Sequence, residues 1–334
     1  MGKFITRRLL LAIPTLLGVS LLVFLFLHLI PGDPAQALLG ERASAESLAE
    51  VRHAMGLDQP IYVQYLRFMG QALHGDLGKS LISNMKVSED LWSHFPATIE
   101  LSLAAMLAAV LVGVPAGILA ATRRNSPFDH GSMVVVLFGV SMPVFWLGLM
   151  LIWLFSLVLG WLPMSGRIDV AIDFTPVTNF YVLDALLARN WPALWNVLGH
   201  LVLPAVALGT IPMAIIARMT RSAMLEVLSQ DYVRTAWSKG LAERVVVVRH
   251  ALKNALIPVV TVVGLQFGML LSGAVMTETI FAWPGIGKLT YEAIMNRDFP
   301  VLQGALLLVA TAFVVINLLV DVVYAYLDPR IHYD

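Results

Sequence analysis

The chain has 334 residues, 58% hydrophobic and 13% charged, with a mean hydropathy of +0.79. A soluble domain carries about 25% charged residues, so the composition excludes an ordinary soluble fold and predicts an all-α polytopic membrane protein. Lys plus Arg and Asp plus Glu both number 22 and cysteine is absent, which argues against a nucleic-acid partner and excludes disulfide and thiolate chemistry.

Crossing a bilayer takes about 20 apolar residues. Six stretches qualify, near 9–30, 99–122, 131–159, 201–217, 258–280 and 301–326. Lys3, Arg7 and Arg8 precede the first, and Ala35-Gln36-Ala37 mimics a signal-cleavage site. Cleavable apolar cores run about 7–15 residues; this one is longer, so it is expected to remain as the first span. Pro31-Gly32-Asp33-Pro34 ends it in a turn.

Residues 31–98 form the largest outer segment. Ser44 to Met55 reads as a polar helix stopped by Gly56. A second helix from Pro60 carries Ile61, Tyr65, Leu66, Met69 and Leu73 as an apolar stripe expected to pack on the bundle. This divides the chain into 1–98, the first span with its outer segment, and 99–334, a five-helix core with a loop at about 218–257.

Pro115, Gly139, Pro143, Pro204, Pro212, Gly264 and Gly268 interrupt later spans. Membrane bundles tolerate them as bends or close helix contacts. Arg218 and Arg221 are expected to end the fourth span. Trp161, Trp191, Trp195 and Trp283 fall in outer segments, where an amphipathic ring favours the headgroup layer. Placing the N-terminus inside puts 13 of the 22 Lys and Arg on the inner side, in the shorter segments. Both termini are therefore expected in the cytoplasm.

Between the fourth and fifth spans the chain reads Asp231-Tyr232-Val233-Arg234-Thr235-Ala236-Trp237-Ser238-Lys239-Gly240-Leu241. On a helix Val233, Ala236, Trp237 and Leu241 share one face, and Gly240 is a plausible stop. Such a helix could simply lie on the inner leaflet. A basic stretch then leads to His250-Ala251-Leu252-Lys253-Asn254 and Pro258.

Polar and small residues inside the spans mark a candidate path. Asn317 and Asp321 stand one turn apart on the sixth span, and Glu278 lies near the outer end of the fifth. Gly264, Gly268 and Ser272 form a small-residue stripe suited to close contact with a partner helix or to lining the path.

Nucleotide and catalytic motifs are missing. Gly78-Lys79-Ser80 ends like a phosphate-binding loop, but Leu73 stands where its first Gly must be. Trp283 to Lys288 fails with Ala282 first and Leu289 last. The eight His show no ligand spacing. No catalytic set, metal site or bound cofactor is expected; any ATP is handled by another chain.

Together these segments resemble the permease subunits of ATP-binding-cassette importers, in the peptide/nickel branch of binding-protein-dependent permeases. The resemblance rests on Asp231 to Leu241 with Arg249 to Pro258, Leu29 to Pro34, Gly75-Asp76-Leu77-Gly78, Ser141 to Trp146, and Arg218 to Arg221. It continues through Glu278-Thr279-Ile280-Phe281, Pro284 to Gly287 and Asp328-Pro329-Arg330. It implies a second homologous permease, two ABC ATPase subunits that bind ATP and Mg, and a periplasmic solute-binding protein. It also implies a bacterial inner-membrane location and import of dipeptides or short peptides, with nickel or glutathione as alternatives. The Asp231 loop would seat in the ATPase through Val233, Ala236 and Trp237, with Arg234 and Lys239 in polar contacts. The family usually has a basic residue where Trp237 stands. A self-contained secondary transporter or channel is the rival, favoured by inverted repeats or mid-span charges.

Overall fold

The computed structural model describes residues 2–29, 34–39, 44–272 and 274–327. The first span is α1 (Gly2–Leu29). The outer segment folds as α2 (Pro34–Leu39), α3 (Ala45–Met55) and α4 (Ile61–Leu73). The Ser44 hydroxyl accepts from the Ser47 amide at 3.1 Å to start α3, and Gly56 ends it at φ 70°, as the sequence predicts. The expected turn at 31–33 and the Asp328–Arg330 segment lie outside the described residues.

The core follows as α5 (Val87–Thr122), α6 (Pro127–Ser141), α7 (Val144–Leu151) running into a π-helical segment Ile152–Val158, α8 (Tyr181–Leu187) and α9 (Trp191–Leu228). Then come α10 (Asp231–Ser238), α11 (Glu243–Val245), a second π segment Val246–Ala251, α12 (Leu252–Leu271), α13 (Val275–Ile280), α14 (Ile286–Met295) and α15 (Phe299–Leu327). Five helices among the described residues are long and apolar enough to cross a membrane: 6–26, 87–122, 191–228, 243–271 and 299–320.

Four expected spans have clearly different bounds; the second, expected from 99, starts at Val87. The third is broken in two: Pro143 has no amide hydrogen and forces Met142 to ψ 131°, so α6 stops and α7 starts afresh. The fourth is much longer than 201–217. The Asn190 side chain caps its start by accepting from the Ala193 amide at 3.1 Å, and Arg218 and Arg221 lie inside its last turns. At 1.5 Å per residue α9 is about 57 Å long and overshoots a hydrocarbon layer of about 30 Å. The fifth stops at Leu271, and Glu278 belongs to the separate helix α13.

The core is the crossing of α5 and α9. A side chain at Gly113 would meet the Met213 carbonyl at 2.8 Å, one at Gly117 the Ala217 carbonyl at 2.6 Å, and one at Gly209 the Ala105 carbonyl at 2.7 Å. These three positions let two backbones touch, the device membrane helices use where lipid removes the hydrophobic drive. Leu101, Ala105, Ala109, Leu201, Ala205 and Ile216 fill the seam, and Val259 and Leu270 of α12 close it. Asp129 at the start of α6 receives a forked pair from Arg221 of α9, Nε at 2.6 Å and Nη2 at 2.7 Å.

The outer segment packs on α1: Ser20 and Tyr65 share a hydroxyl hydrogen bond at 2.9 Å, and Phe24 stacks on Phe68 at 6.0 Å. The predicted stripe on α4 is only half right. Tyr65 and Met69 are partly covered, whereas Ile61, Leu66 and Leu73 are exposed, because the inward face also takes Val63, Gln64 and Phe68. Trp161, Trp191 and Trp195 are exposed as an interfacial ring requires, but Trp283 is fully buried and donates to the Ala97 carbonyl at 2.9 Å.

Candidate functional site

α10 is an eight-residue helix in the turn between α9 and the second π segment. Its exposed first and last turns carry Asp231 and Arg234, 3.5 Å apart, then Thr235, whose hydroxyl bonds back to the Asp231 carbonyl. Lys239 closes the helix and Gly240 takes φ 74°, which lets the chain reverse.

The expected apolar face divides. Val233 and Ala236 are buried against Val227, Leu228 and Val246 of the same chain, so neither is free to enter an ATPase cleft. The reason is length: an eight-residue helix is held only by burying its own stripe on neighbouring elements. Trp237 stays 44% exposed, Tyr232 42% and Leu241 36%. The Tyr232 hydroxyl accepts from Asn254 Nδ2 at 2.8 Å and lies 3.4 Å from the His250 carbonyl. That ties α10 to the start of α12. The loop therefore presents Tyr232, Trp237 and Leu241 with Arg234 and Lys239 around them, on a helix clamped from behind.

Of the six path candidates, Gly264, Gly268, Ser272 and Asn317 lie together where α12 meets α15, and Glu278 lies apart on α13. A side chain at Gly264 would strike Val320, and one at Gly268 would meet Phe313 at 3.3 Å. Gly264 and Gly268 therefore pack on α15 of the same chain and are not free for close contact with a partner helix. Ser272 is exposed, donates to the Met269 carbonyl at 2.6 Å, and shares a cavity of about 590 Å³ between α1 and α15 with Asn317. The backbone of Asp321 belongs to α15, and its side chain lies outside the described residues.

Glu278 is elsewhere and has another task. Fully buried, its carboxylate accepts from the Thr98 hydroxyl at 2.9 Å and the Lys288 amide at 2.8 Å, and Thr98 in turn accepts from the Ile286 amide at 2.8 Å. It thereby caps α14 and ties α13, α14 and α5 into one outer knot. Beside it sits a pair absent from the sequence reading. Arg167 is buried against Glu100, donates to the Asn179 carbonyl at 3.0 Å and lies 3.7 Å over the Tyr181 ring. Glu100 also accepts from the Val182 amide at 2.8 Å. An acid inside an apolar run is the signal for this pair, since a buried charge needs a partner.

Family models match almost the whole chain. The binding-protein-dependent transport system inner membrane component covers residues 113–333, and the N-terminal model of such membrane components covers residues 1–103. The chain belongs to this permease family. Similar permeases include the dipeptide transport system permease protein DppB of Alkalihalophilus pseudofirmus, 53% identical over all of both chains. The di/tripeptide permease DppB of Pseudomonas aeruginosa is 54% identical over all of this chain and 99% of its own. The glutathione permease GsiC of Escherichia coli is 43% identical over all of both. The fold is that of the MetNI methionine ABC transporter in an inward-facing conformation. The TM-score is 0.55 at 18% identity, over 71% of this chain and 96% of that one. This permease is thus a multi-pass inner-membrane component of a binding-protein-dependent ABC transporter.

Proposed function

We propose that this permease carries dipeptides or short peptides inward across the bacterial inner membrane, both termini cytoplasmic, beside a second homologous permease. Two ATPases that hold ATP and Mg would sit beneath the pair, and a periplasmic binding protein would deliver substrate. The observation that carries the substrate class is the end-to-end likeness to dipeptide and di/tripeptide permeases at 53% and 54% identity.

ATPase closure pushes on the exposed Tyr232, Trp237 and Leu241. Val233 and Ala236 pass the displacement to the end of α9, because their contacts with Val227 and Leu228 are buried and stiff. As α9 is continuous from Leu228 to Trp191, movement at the inner loop reaches the outer end of the bundle. The chain itself holds no nucleotide; its part is to convert a push into a change of access.

The test is uptake of radiolabelled alanyl-alanine in the native host with the gene deleted and then restored. Loss and recovery are the expected result. Unchanged peptide uptake, with glutathione uptake lost instead, would move the assignment to the second reading, which the likeness to the glutathione permease favours.

A further inference from the structure

We propose that the open cavity lined by α1, α4 and the start of α15 binds a small zwitterion, a molecule with an amine cation and an oxyanion, outside the path between the permeases. The cavity lies at the end of α1 remote from Arg7 and Arg8 and measures about 330 Å³, within the roughly 300–1,000 Å³ of small-molecule pockets.

Its walls are built and its polar groups fall into two sets. His28 and Gln64 are spent on the wall itself. They contact each other at 3.2 Å, His28 meets the Phe24 carbonyl at 2.8 Å, and Gln64 donates to the Gln59 carbonyl at 2.8 Å. Phe24 and Phe68, stacked at 6.0 Å, supply an apolar side. The other set faces the cavity with capacity to spare. Arg67 makes no hydrogen bond or ion pair among the described residues; its charge acts on the nearby Asp58 from a distance, but the Asp58 carboxylate is held at 2.7 Å by His53. Gly56, at φ 70°, leaves room for the Arg67 guanidinium where a side chain would overlap it. Asp76 accepts from the Gly78 amide through Oδ1 at 3.0 Å, which leaves Oδ2 available. The Gln71 and Gln303 amides complete the lining.

A cation and an anion that line one cavity without pairing select their complement. A simple anion would suit Arg67 but be repelled by Asp76, and an apolar guest would displace water from both exposed charges without replacing its hydrogen bonds. A zwitterion satisfies both: oxyanion on Arg67, amine on Asp76, with the amides to either side. A free peptide or amino acid has this chemistry, and so does a phosphatidylethanolamine headgroup. The inference rests on the cavity and not on the transported substrate, so peptide uptake can fail while zwitterion binding holds.

The test uses the full importer complex in nanodiscs without binding protein. In discs of phosphatidylglycerol alone, equilibrium dialysis with labelled alanyl-alanine should give saturable binding that weakens by about tenfold or more in Arg67→Ala and in Asp76→Asn. Melting temperatures should not change, and Gln71→Ala serves as a milder probe should either variant misfold. In discs containing phosphatidylethanolamine, retention of that lipid by the wild type in native mass spectrometry, lost in Arg67→Ala, would assign the site to the headgroup. Peptide binding and lipid retention both equal in wild type and variants would overturn the proposal.

Discussion

The carboxylate of Glu278 occupies the space that a side chain at Gly285 would need. A Cβ there would lie 2.6 Å from Glu278 Oε2, and the same carboxylate accepts the Lys288 amide three residues further on. Position 285 has φ −105°, a conformation open to any residue, so the need for glycine is one of space alone. Gly285→Ala should therefore cost about 1–3 kcal/mol through overpacking, seen as a lower melting temperature in detergent. An unchanged melt would show that the knot gives way easily.

A second contact of the same kind holds the core. At Gly117 a side chain would meet the Ala217 carbonyl and the Thr220 Cβ, both at 2.6 Å. Gly117→Val should force α5 from α9 and cost about 3 kcal/mol, near the upper end for overpacking. Gly75→Ala at an open turn, with φ 77° and no atom near, should act only through backbone strain and cost about 1 kcal/mol. The comparison of the two melts separates crowding from conformation.

Acid should release α6 from α9. The Arg221 guanidinium and the Asn125 amide hold Asp129 at a pKa of about 2, against an ordinary 3.8. A depressed folded pKa gives stability that is present above about 4 and is lost as pH falls toward 2. The melting difference between wild type and Asp129→Asn should be full at neutral pH and shrink between pH 4 and 2. A difference independent of pH would mean that the ion pair does not hold the helices together.

The two faces of α10 should separate stability from coupling. Val233→Asp buries a carboxylate with no partner and should lower stability by several kcal/mol. Trp237→Ala removes an exposed ring, so stability should change by less than about 0.5 kcal/mol while peptide-stimulated ATP hydrolysis and uptake fall. Equal stability losses in both variants would remove the distinction.

How much of this was legible in the sequence depends on whether a residue's role is local. Ser44, Gly56 and Gly240 act within one turn, and each does what its residue type predicts. The sequence marks Pro143 as an interruption, but whether a proline bends or breaks a span depends on what replaces the lost hydrogen bond. Here the helix restarts. Helical spacing shows that Val233 and Ala236 form an apolar face but not that the face turns inward, because the partners Val227, Leu228 and Val246 come from flanking turns whose return is set by tertiary packing. Trp283 and the Glu100–Arg167 pair join segments 186 and 67 residues apart, and no local pattern reports such a distance.

If α10 is the surface through which a separate ATPase drives this permease, the two chains should crosslink there. The native chain has no cysteine, so Trp237→Cys gives a single reactive thiol. Membranes from the native host, treated with a short bifunctional thiol–amine crosslinker, should yield one major adduct containing a P-loop ATPase, and ATP should change its yield. Adducts confined to lipid or to this chain alone, with no ATPase recovered, would mean that α10 does not meet an ATPase.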